Sequence, residues 1–348
     1  MEKITFTNTE YHKMKEQQEQ HKYDPDYLDT IAMTDLYDNI YPSREPLIAD
    51  LLYPGTYILA GSPNSGKSFL CMQLCYNLSQ GRPMWTFCDV NKCDVLYLSL
   101  EDTHQRLQGR LSRMFGVECS DKLHFAIAAK GIDKGLKEQL EGFIKEHPKT
   151  KLIIIDTLQK VRTNINSNYS YGDDYDCINE LKDLADDKGI CLILVHHTRK
   201  QHDDDGFNMI SGTNGLMGAA DGAFLFLKEK RTSNKAILEI TGRDQPDQRL
   251  HLIRNEDTLC WDLEQRDTKL WQAPPDPLLE SIAATIAARG TWSGTATELV
   301  AFLKSDLSPN SLTRKLNISA SRLMEEYSIK YDNNRTSIER KITLSLIN

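Results

Sequence analysis

The 348-residue sequence predicts an α/β protein, with a mostly parallel sheet that ends in antiparallel strands, followed by a small α+β domain. Three observations lead to this prediction. Short apolar runs alternate with helical patterns over the central two thirds of the chain, which is typical of serial βα units. A loop rich in small residues separates the first run from the first helix. A proline-rich break then precedes a series of short helices and a hairpin.

Residues 1–45 are polar with isolated aromatic side chains, and they predict a short helix followed by an extended arm. A loosely ordered tail and a segment that contacts a neighbouring subunit both fit this composition. We place a large core domain at residues 46–270 and a second domain at 271–348.

Four runs in the core are almost continuously apolar, namely "TYILA", "DVLYLSL", "KLIIID" and "ICLILVHH". Strands that are buried on both faces of a parallel sheet have this composition. Helical patterns at about 67–79, 103–115, 135–146 and 173–188 separate or follow them. The core is therefore predicted to be a doubly wound α/β domain.

Later segments change character. "DGAFLFLKEK", "KAILEITGRD" and "QRLHLIRNEDTLCWDL" are strand-like and joined by short polar turns, which favours antiparallel pairing at the end of the sheet. "WQAPPDPLL" (271–279) marks the domain boundary. Beyond it, three or four short helices precede a hairpin predicted to turn at Asn333-Asn334, which is the element order of a winged helix.

Composition limits the classes of function. Hydrophobic residues make up 40% and charged residues 26%, and the formal net charge of −8 excludes an overall basic surface. No apolar run approaches the roughly 18 residues of a membrane span, and the first residues are too polar for a signal peptide. The eight cysteines form no CxxC pair. We expect reduced thiols in a cytoplasmic protein that does not contact a membrane.

The loop after "TYILA" satisfies the pattern G-x-x-x-x-G-K-[ST]. Glycines allow a close approach, so that successive backbone N–H groups can surround a phosphate at the start of a helix. Lys67 would reach the β- and γ-phosphates of ATP, and the Ser68 hydroxyl would bind Mg²⁺. A glycine-rich turn without this role is the alternative. The predicted nucleotide-binding residues are Gly61, Ser62, Pro63, Asn64, Ser65, Gly66, Lys67, Ser68 and Phe69.

Hydrolysis also needs an acid for the metal and a base for water. Asp156 ends the buried run "KLIIID", so it is predicted to hold Mg²⁺, although it could instead cap the next element. Glu101 and Asp102 end "DVLYLSLED". We predict that Glu101 is the catalytic base and that Asp102 starts the following helix, although the acidic pair could simply favour the start of that helix. The strand that ends at this pair is predicted to lie beside the strand that precedes the loop of residues 61–68, the phosphate loop.

His196 and His197 end the run "ICLILVHH". A polar side chain at this sheet edge could contact the γ-phosphate and transmit its loss to the next loop. We predict that His196 has this role and that the other histidine is structural, although a structural role for both would also fit.

Together, "AGSPNSGKS", "LYLSLED", "IIIDTLQKVR", "LVHHTRK", "SGTNGLMGAAD" and "ITGRD" resemble the RecA-like hexameric ATPases of the plasmid RepA replicative-helicase type, within the broader DnaB and RadA-like group. The resemblance covers about residues 45–262. It implies a hexameric ring with ATP between subunits, Glu101 as the catalytic carboxylate, and loops after the fourth and fifth strands that face single-stranded DNA in a central channel.

Two departures from the family pattern matter. Where relatives carry a K-x-R pair that enters the neighbour's nucleotide site, this chain has Thr241-Gly242-Arg243, which retains the arginine finger and lacks the lysine. Arg243 could alternatively pair with Asp244 or Asp247 on a solvated hairpin. The expected DNA loop carries Arg199 and Lys200 but also Asp203 to Asp205, and aspartates repel phosphate.

The tail is similar to the winged-helix segments of RepA-like proteins from plasmids, prophages and integrative elements. Residues 311–348 contain seven Lys/Arg, including Arg335, against four acids, a net charge of +3. Such a domain could bind duplex DNA through its helix and wing, or dock another protein. The leading hypothesis is therefore a replicative DNA helicase or replication-initiation ATPase. A recombination or remodelling ATPase that does not unwind DNA, and a DNA-binding regulator that uses ATP as an oligomerisation switch, are the alternatives.

Overall fold

The computed structural model describes residues 28, 30–41, 45–85, 88–162, 171–198, 206–210, 214–228, 230, 232–243, 245–268, 274–335 and 340–347. Its helices are α1 (Met33–Asp38), α2 (Lys67–Gln80), α3 (His104–Phe115), α4 (Leu136–Glu146), α5 (Leu158–Val161), α6 (Tyr171–Lys188), α7 (Asn214–Ala219), α8 (Pro277–Arg289), α9 (Ala296–Leu303), α10 (Pro309–Ile318) and α11 (Ala320–Tyr327). Its strands are β1 (Gly55–Gly61), β2 (Asp94–Ser99), β3 (Leu123–Ala126), β4 (Thr150–Asp156), β5 (Cys191–His197), β6 (Gly222–Leu227), β7 (Lys235–Gly242), β8 (Gln248–Arg254), β9 (Trp261–Thr268), β10 (Thr291–Gly294), β11 (Ile329–Arg335) and β12 (Arg340–Leu346).

The chain divides into two compact units, one formed by Arg44–Gln272 and the other by Met1–Ser43 with Ala273–Asn348. The first unit contains a sheet in the order β3-β2-β4-β5-β1-β6-β7-β8-β9. Strands β3 to β6 in this order pair in parallel, and β7, β8 and β9 add antiparallel hairpins. The predicted α/β class, with a mostly parallel sheet and antiparallel C-terminal strands, is confirmed.

One expectation about strand order was wrong. Strand β2, which precedes Glu101, does not lie beside β1, because β4 and β5 separate the two. Two other strands were not foreseen as separate elements: β3 is a four-residue edge strand, and "QRLHLIRNEDTLCWDL" forms β8 and β9 with a turn between them. Local composition identifies a buried strand, but pairing partners depend on contacts distant in sequence.

Each face of the central sheet carries its own apolar core. Side chains of alternate strand residues, such as Ile193 and Val195 in β5, pack with helices α2 and α3. The intervening residues, such as Leu192 and Leu194, pack with α4, α5, α6 and α7. This period-two alternation, with apolar residues on both faces, is why the strands are continuously hydrophobic.

The second unit has a core formed by α8 to α11 and a three-stranded sheet in the order β10-β12-β11. Helix α8 begins after the proline-rich break, with Pro277 as its first residue and Asp276 accepting a hydrogen bond from the backbone of Leu278. Helix α1 packs on α10: Asp38 pairs with Arg314 at 2.9 Å. The side chain of Asn317 also donates to the backbone of Tyr37 at 3.0 Å.

The predicted hairpin turn at Asn333-Asn334 was wrong. Both residues lie within β11, opposite Ile342 and Lys341 of β12, and the strand continues to Arg335. Asn333 also donates a hydrogen bond to Asn317, so its side chain stabilises the unit internally. Among the described residues, no helix combines the length and the apolar character needed to cross a membrane.

Candidate functional site

A cleft of about 350 Å³ opens at the carboxyl ends of the central strands, where β1 joins α2. The phosphate loop forms one wall, and residues at or just after the carboxyl ends of β2, β4, β5 and β8, with two arginines of α3, form the others. The lining residues are Pro63, Asn64, Ser65, Gly66, Lys67, Ser68, Phe69, Ser99, Glu101, Asp102, Arg106, Arg110, Asp156, Thr157, His197 and Arg254. Clefts at this edge of a parallel sheet are the usual ligand sites of α/β proteins.

The loop geometry requires glycine at two positions. Gly66, at the start of α2, has a φ of 110°, and a Cβ there would approach the ring of Trp261 to 2.7 Å. A Cβ at Gly61 would lie 2.5 Å from the backbone oxygen of Phe226. Substitution of either residue would therefore displace the strands that support the loop.

Lys67 is 5% exposed and lies back along the loop. Its Nζ donates to the backbone oxygens of Gly61 and Ser62 at 2.8 and 2.9 Å. Burial lowers the pKa of Lys67, while the charges of Asp156, Cys71 and Glu101 act to raise it. Gly61 and Ser62 thus contact Lys67 and are not among the residues that line the cleft.

Asp156 lies at the carboxyl end of β4, 7% exposed. One carboxylate oxygen accepts hydrogen bonds from Ser68 Oγ at 2.7 Å and from Tyr97 Oη at 2.6 Å. Burial raises the pKa of Asp156 despite the opposing effects of those two hydrogen bonds and of Lys67. The two predicted metal ligands, Ser68 and Asp156, are therefore adjacent, which suits a hard cation that prefers oxygen.

No group of three or more His, Cys, Asp or Glu side chains that could hold a metal occurs in the part of the chain that the structure describes. A cation bound at Ser68 and Asp156 would therefore take most of its ligands from water and from the phosphates of a nucleotide. Mg²⁺ is the ion that is usually bound in this way.

Glu101 and Asp102 have different surroundings. Glu101 is exposed and lines the cleft. The side chain of Asp102 is 6% exposed and pairs with Arg110 at 2.6 Å and with Arg106 at 3.3 Å. It also accepts a hydrogen bond from Ser99 Oγ.

The predicted role of Asp102 as the residue that starts the helix was wrong. The N-cap of α3 is Thr103, whose hydroxyl accepts a hydrogen bond from the backbone of Arg106. Asp102 lies one residue earlier and holds two arginine side chains at the wall of the cleft. Among the described residues, Glu101 is the carboxylate of this pair that forms no such ion pair.

The two histidines point to opposite faces of the sheet, and it is His197 that lines the cleft. Residues two apart in a strand face the same side of the sheet. His197 is therefore on the face of Val195, which packs towards α2, and His196 is on the opposite face with Leu194. The structure thus does not bring the predicted sensor, His196, into the cleft. The alternating phase of the strand is the signal that could have distinguished them.

Sequence reasoning also missed Thr157, Arg254 and Trp261. Arg254, at the end of β8, lies over the ring of Phe69 at 4.3 Å, and burial lowers its pKa. Arg110 lies over the same ring at 5.5 Å. Trp261 donates from Nε1 to the backbone oxygen of Gly66 at 3.3 Å. No local motif marks these residues, because their positions depend on strands far along the chain.

Three buried polar atoms around the cleft have no hydrogen-bond partner among the described residues: Ser65 Oγ, Thr157 Oγ1 and His197 Nδ1. Buried polar atoms rarely remain unpaired in native proteins. A phosphate group with its water molecules offers acceptors and donors for all three. The residues present therefore fit a nucleotide with Mg²⁺.

Arg243 lies away from this cleft. Gly242 pairs with Gly222, which is also opposite Tyr57 near the amino end of β1. The phosphate loop follows the carboxyl end of that strand, and seven strand residues span roughly 20 Å. The Arg243 side chain is 61% exposed at this opposite edge of the sheet.

Of the predicted DNA contacts, Arg199 and Lys200 lie outside the described residues, as does the side chain of Arg335.

A family model described as an AAA domain (AAA_25) matches residues 25–203. This chain belongs to that AAA domain family. Among solved structures, this chain is similar to a structure described as an "ATPase Domain". The two sequences are 14% identical, the TM-score is 0.50, and the match covers 75% of this chain and 100% of the other. A comparison with curated proteins gave no match.

A second similar structure is "The Structure Of A DnaB-Like Replicative Helicase And Its Interactions With Primase". Identity is 15% and the TM-score 0.50, and the match covers 60% of this chain but only 58% of the other. At these identities the similarity shows the fold alone. The AAA-family chain has the RecA-like P-loop ATPase fold that both structures share.

Proposed function

We propose that this protein is an ATP-hydrolysing ring motor that acts on DNA, as a replicative helicase or replication-initiation ATPase of a plasmid, prophage or integrative element. One observation carries the catalytic part: Lys67, Ser68, Glu101 and Asp156, from three separate segments, line one cleft. A phosphate-binding loop, a metal pair and an exposed carboxylate are the parts that phosphoryl transfer to water requires.

Each side chain has a defined task in this proposal. Lys67 would exchange the backbone oxygens of Gly61 and Ser62 for the β- and γ-phosphate oxygens. Ser68 and Asp156 would hold Mg²⁺, which neutralises charge that develops on the phosphates. Glu101 would orient the attacking water and accept its proton.

The proposed γ-phosphate sensor is His197, not His196. Its Nδ1 atom has no hydrogen-bond partner in the part of the chain that the structure describes, and both His197 and Thr157 line the cleft beside the phosphate loop. Bond formation by these atoms would depend on whether the γ-phosphate is present. His197 is the last residue of β5, so such a change would reach the loop that begins at residue 198.

The position of Arg243 supports the proposal that the subunits form a ring. Because it lies at the sheet edge opposite the phosphate loop, it cannot reach the nucleotide of its own subunit. A head-to-tail interface would bring it to the neighbour's γ-phosphate, as arginine fingers act in trans. The missing lysine of the K-x-R pair leaves Arg243 as the proposed finger.

DNA binding is proposed at two places. Arg199 and Lys200 would contact single-stranded DNA in the channel. The second unit would act as a winged helix on duplex DNA. The helix cations Arg314, Lys315 and Arg322 are paired with Asp38, Asp276 and Glu326, so we expect the hairpin, with Arg335, Arg340 and Lys341, to supply the charge.

An ATP-dependent assembly switch without a motor is the second candidate, because Asp203 to Asp205 oppose DNA in the expected channel loop. The decisive experiment measures ATPase activity with and without DNA at several salt concentrations, then strand displacement on a forked duplex. We expect salt-sensitive stimulation and unwinding, both absent from Lys67→Ala. ATP-dependent assembly with negligible turnover would instead identify the switch, and stimulation without unwinding would identify a remodelling ATPase.

A further inference from the structure

A buried carboxylate lies beside the proposed arginine finger. Asp221 precedes β6, and its side chain is 9% exposed. Its backbone oxygen accepts a hydrogen bond from the Arg243 N–H at 2.8 Å, and its own N–H donates to Thr56 at the same distance. Asp221 thus connects the turn that carries Arg243 to the amino end of β1.

The Asp221 carboxylate already has a strong partner in Lys182, from helix α6. Lys182 Nζ donates to both carboxylate oxygens, at 2.5 and 2.6 Å, and the backbone N–H of Thr56 donates to one of them at 2.9 Å. Lys182 also lies 3.1 Å from Asp186. Burial alone would lower the pKa of Lys182, but these two aspartates outweigh it and raise the pKa, so the side chain remains a cation.

Arg243 is held much more weakly. Its Nη1 is 4.0 Å from an Asp221 oxygen, and its Nη2 donates to the backbone oxygen of Gly218, on α7, at 3.1 Å. Most of the side chain is exposed. Two cations therefore share one buried carboxylate, and the nearer of them is Lys182.

This arrangement determines how easily the Arg243 side chain can move away from Asp221. A buried carboxylate with a single counter-ion retains it strongly, because removal of the partner leaves an uncompensated charge in a region of low dielectric. Here Lys182 and Thr56 satisfy the carboxylate whether or not Arg243 is present. The guanidinium can thus move to another anion at little cost.

We propose that Lys182 is a positioning residue that keeps Arg243 available to the neighbour's nucleotide by giving Asp221 a permanent counter-ion. The inference rests on the proposed function, in which Arg243 acts in trans. It adds a requirement that the finger depends on a lysine of its own subunit, which binds Asp221 at the sheet edge opposite that subunit's own phosphate loop.

The first test is Lys182→Met, which keeps the length of the side chain and removes its charge. Arg243 then becomes the cation nearest to Asp221, so kcat should fall about tenfold or more while KM for ATP stays within about twofold. Lys182→Arg should keep the wild-type kcat. Lys188→Met is the matched control on the same helix, because Lys188 pairs only with the exposed Asp187 among the described residues, and it should leave both constants unchanged.

The double variant Lys182→Met/Asp221→Asn removes both charges. Because the carboxylate that retains Arg243 is gone, kcat should return towards the wild-type value. If Lys182→Met alone does not fold, the double variant still tests the inference, since replacement of both members of a buried pair is usually tolerated. A folded double variant that binds ATP but does not recover kcat would overturn it.

Subunit mixing separates an effect on the finger from general damage. Lys182→Met subunits retain Glu101 and the phosphate loop, and Glu101→Gln subunits retain a working Arg243. Mixed one to one with free exchange, about a quarter of interfaces would combine an intact Glu101 with an available Arg243, and activity should reappear at up to that fraction.

Arg243→Ala mixed with Glu101→Gln is the reference. If that mixture recovers activity and the Lys182→Met mixture does not, the role of Lys182 is refuted while the finger stands. If Arg243→Ala alone keeps full activity, the finger itself is refuted, and with it the basis for this inference.

Discussion

At Asp156, burial and function oppose each other. Burial raises the pKa of Asp156, so ionisation of its carboxyl is less favourable in the folded than in the unfolded chain, yet a ligand for Mg²⁺ must be ionised. At neutral pH the ionised carboxylate therefore costs stability, and this cost disappears as the pH falls through the raised pKa. The ionised Asp156 carboxylate, which is needed as a metal ligand at the end of β4, therefore lowers the free energy of unfolding of the nucleotide-free protein.

Asp156→Asn should raise the Tm of the nucleotide-free protein and abolish Mg²⁺-dependent ATP hydrolysis. The amide can still accept from Ser68 and Tyr97 without the cost of a buried charge. The difference in Tm from the wild type should be largest at neutral pH and shrink on acidification, as measured by thermal denaturation at several pH values. The exposed Asp183→Asn should shift neither property, and a lower Tm for Asp156→Asn would contradict this assignment.

Glu101→Gln should bind ATP normally and lose about 10² or more in kcat, because the amide keeps the shape of the side chain but accepts no proton. Asp102→Asn should act differently, since it breaks the ion pairs with Arg106 and Arg110. We expect a change in nucleotide affinity with some turnover retained. Single-turnover hydrolysis together with equilibrium ATP binding distinguishes the two, and an inactive Asp102→Asn beside an active Glu101→Gln would reverse the assignment.

Among the elements, helix α9 carries the clearest local stabilisation. Thr295 and Glu298 form a reciprocal capping box, with Thr295 accepting from the Glu298 backbone and Glu298 accepting from the Thr295 backbone. Thr295→Ala should destabilise the second unit by about 1 kcal/mol. Thr297, exposed in the first turn, offers the control, because Thr297→Ala removes no cap.

Denaturant unfolding of the two variants checks this prediction, and the ATPase rate without DNA should be unchanged in both. An equal loss in Thr295→Ala and Thr297→Ala would show that the capping box contributes no more than helix propensity does.

How far the sequence predicts each element depends on where the information lies. The central strands are predicted by local hydrophobicity, and the start of α2 is predicted by the pattern G-x-x-x-x-G-K-[ST] at residues 61–68. The choice between His196 and His197 requires the phase of β5 relative to the phosphate loop, and the order of β2 and β1 requires pairing across the sheet. The N-cap of α3 is Thr103, while the Asp102 carboxylate pairs with two arginines of the same helix, a contact that the local sequence does not specify.

For the whole molecule, we predict that the ATPase core does not need the C-terminal domain to fold. Removal of residues 275–348 should leave basal ATP hydrolysis intact, because the domain has its own apolar core. DNA affinity should fall and depend less steeply on salt concentration, because the phosphate contacts of the C-terminal domain are removed. Helix α1 would lose its partners on α10 in this variant, so a second truncation that also lacks residues 1–43 serves as the comparison. Unchanged DNA binding in both truncations would indicate a protein-docking domain.

The predicted ring can be tested with two inactive variants, each of which retains the catalytic residue that the other lacks. Arg243→Ala and Glu101→Gln should each bind ATP and be nearly inactive alone, and a one-to-one mixture should recover up to about a quarter of wild-type activity. Strictly coordinated firing around the ring would lower the recovery. Strong activity of Arg243→Ala alone would make Arg243 a surface residue, with Arg231 or Arg249 as the next candidates.

The contact between Trp261 and Gly66 has a consequence for biosynthesis. The two residues are 195 positions apart, and the indole lies directly against the loop. On the ribosome, the phosphate loop emerges long before β9, so a nascent chain exposes its nucleotide loop without the ring that supports it. Stable ATP binding should therefore begin only when residue 261 has left the exit tunnel. ATP binding by ribosome-stalled chains of increasing length would show the chain length at which the site becomes functional. In the cell, the need for Trp261 would prevent incomplete subunits from binding ATP.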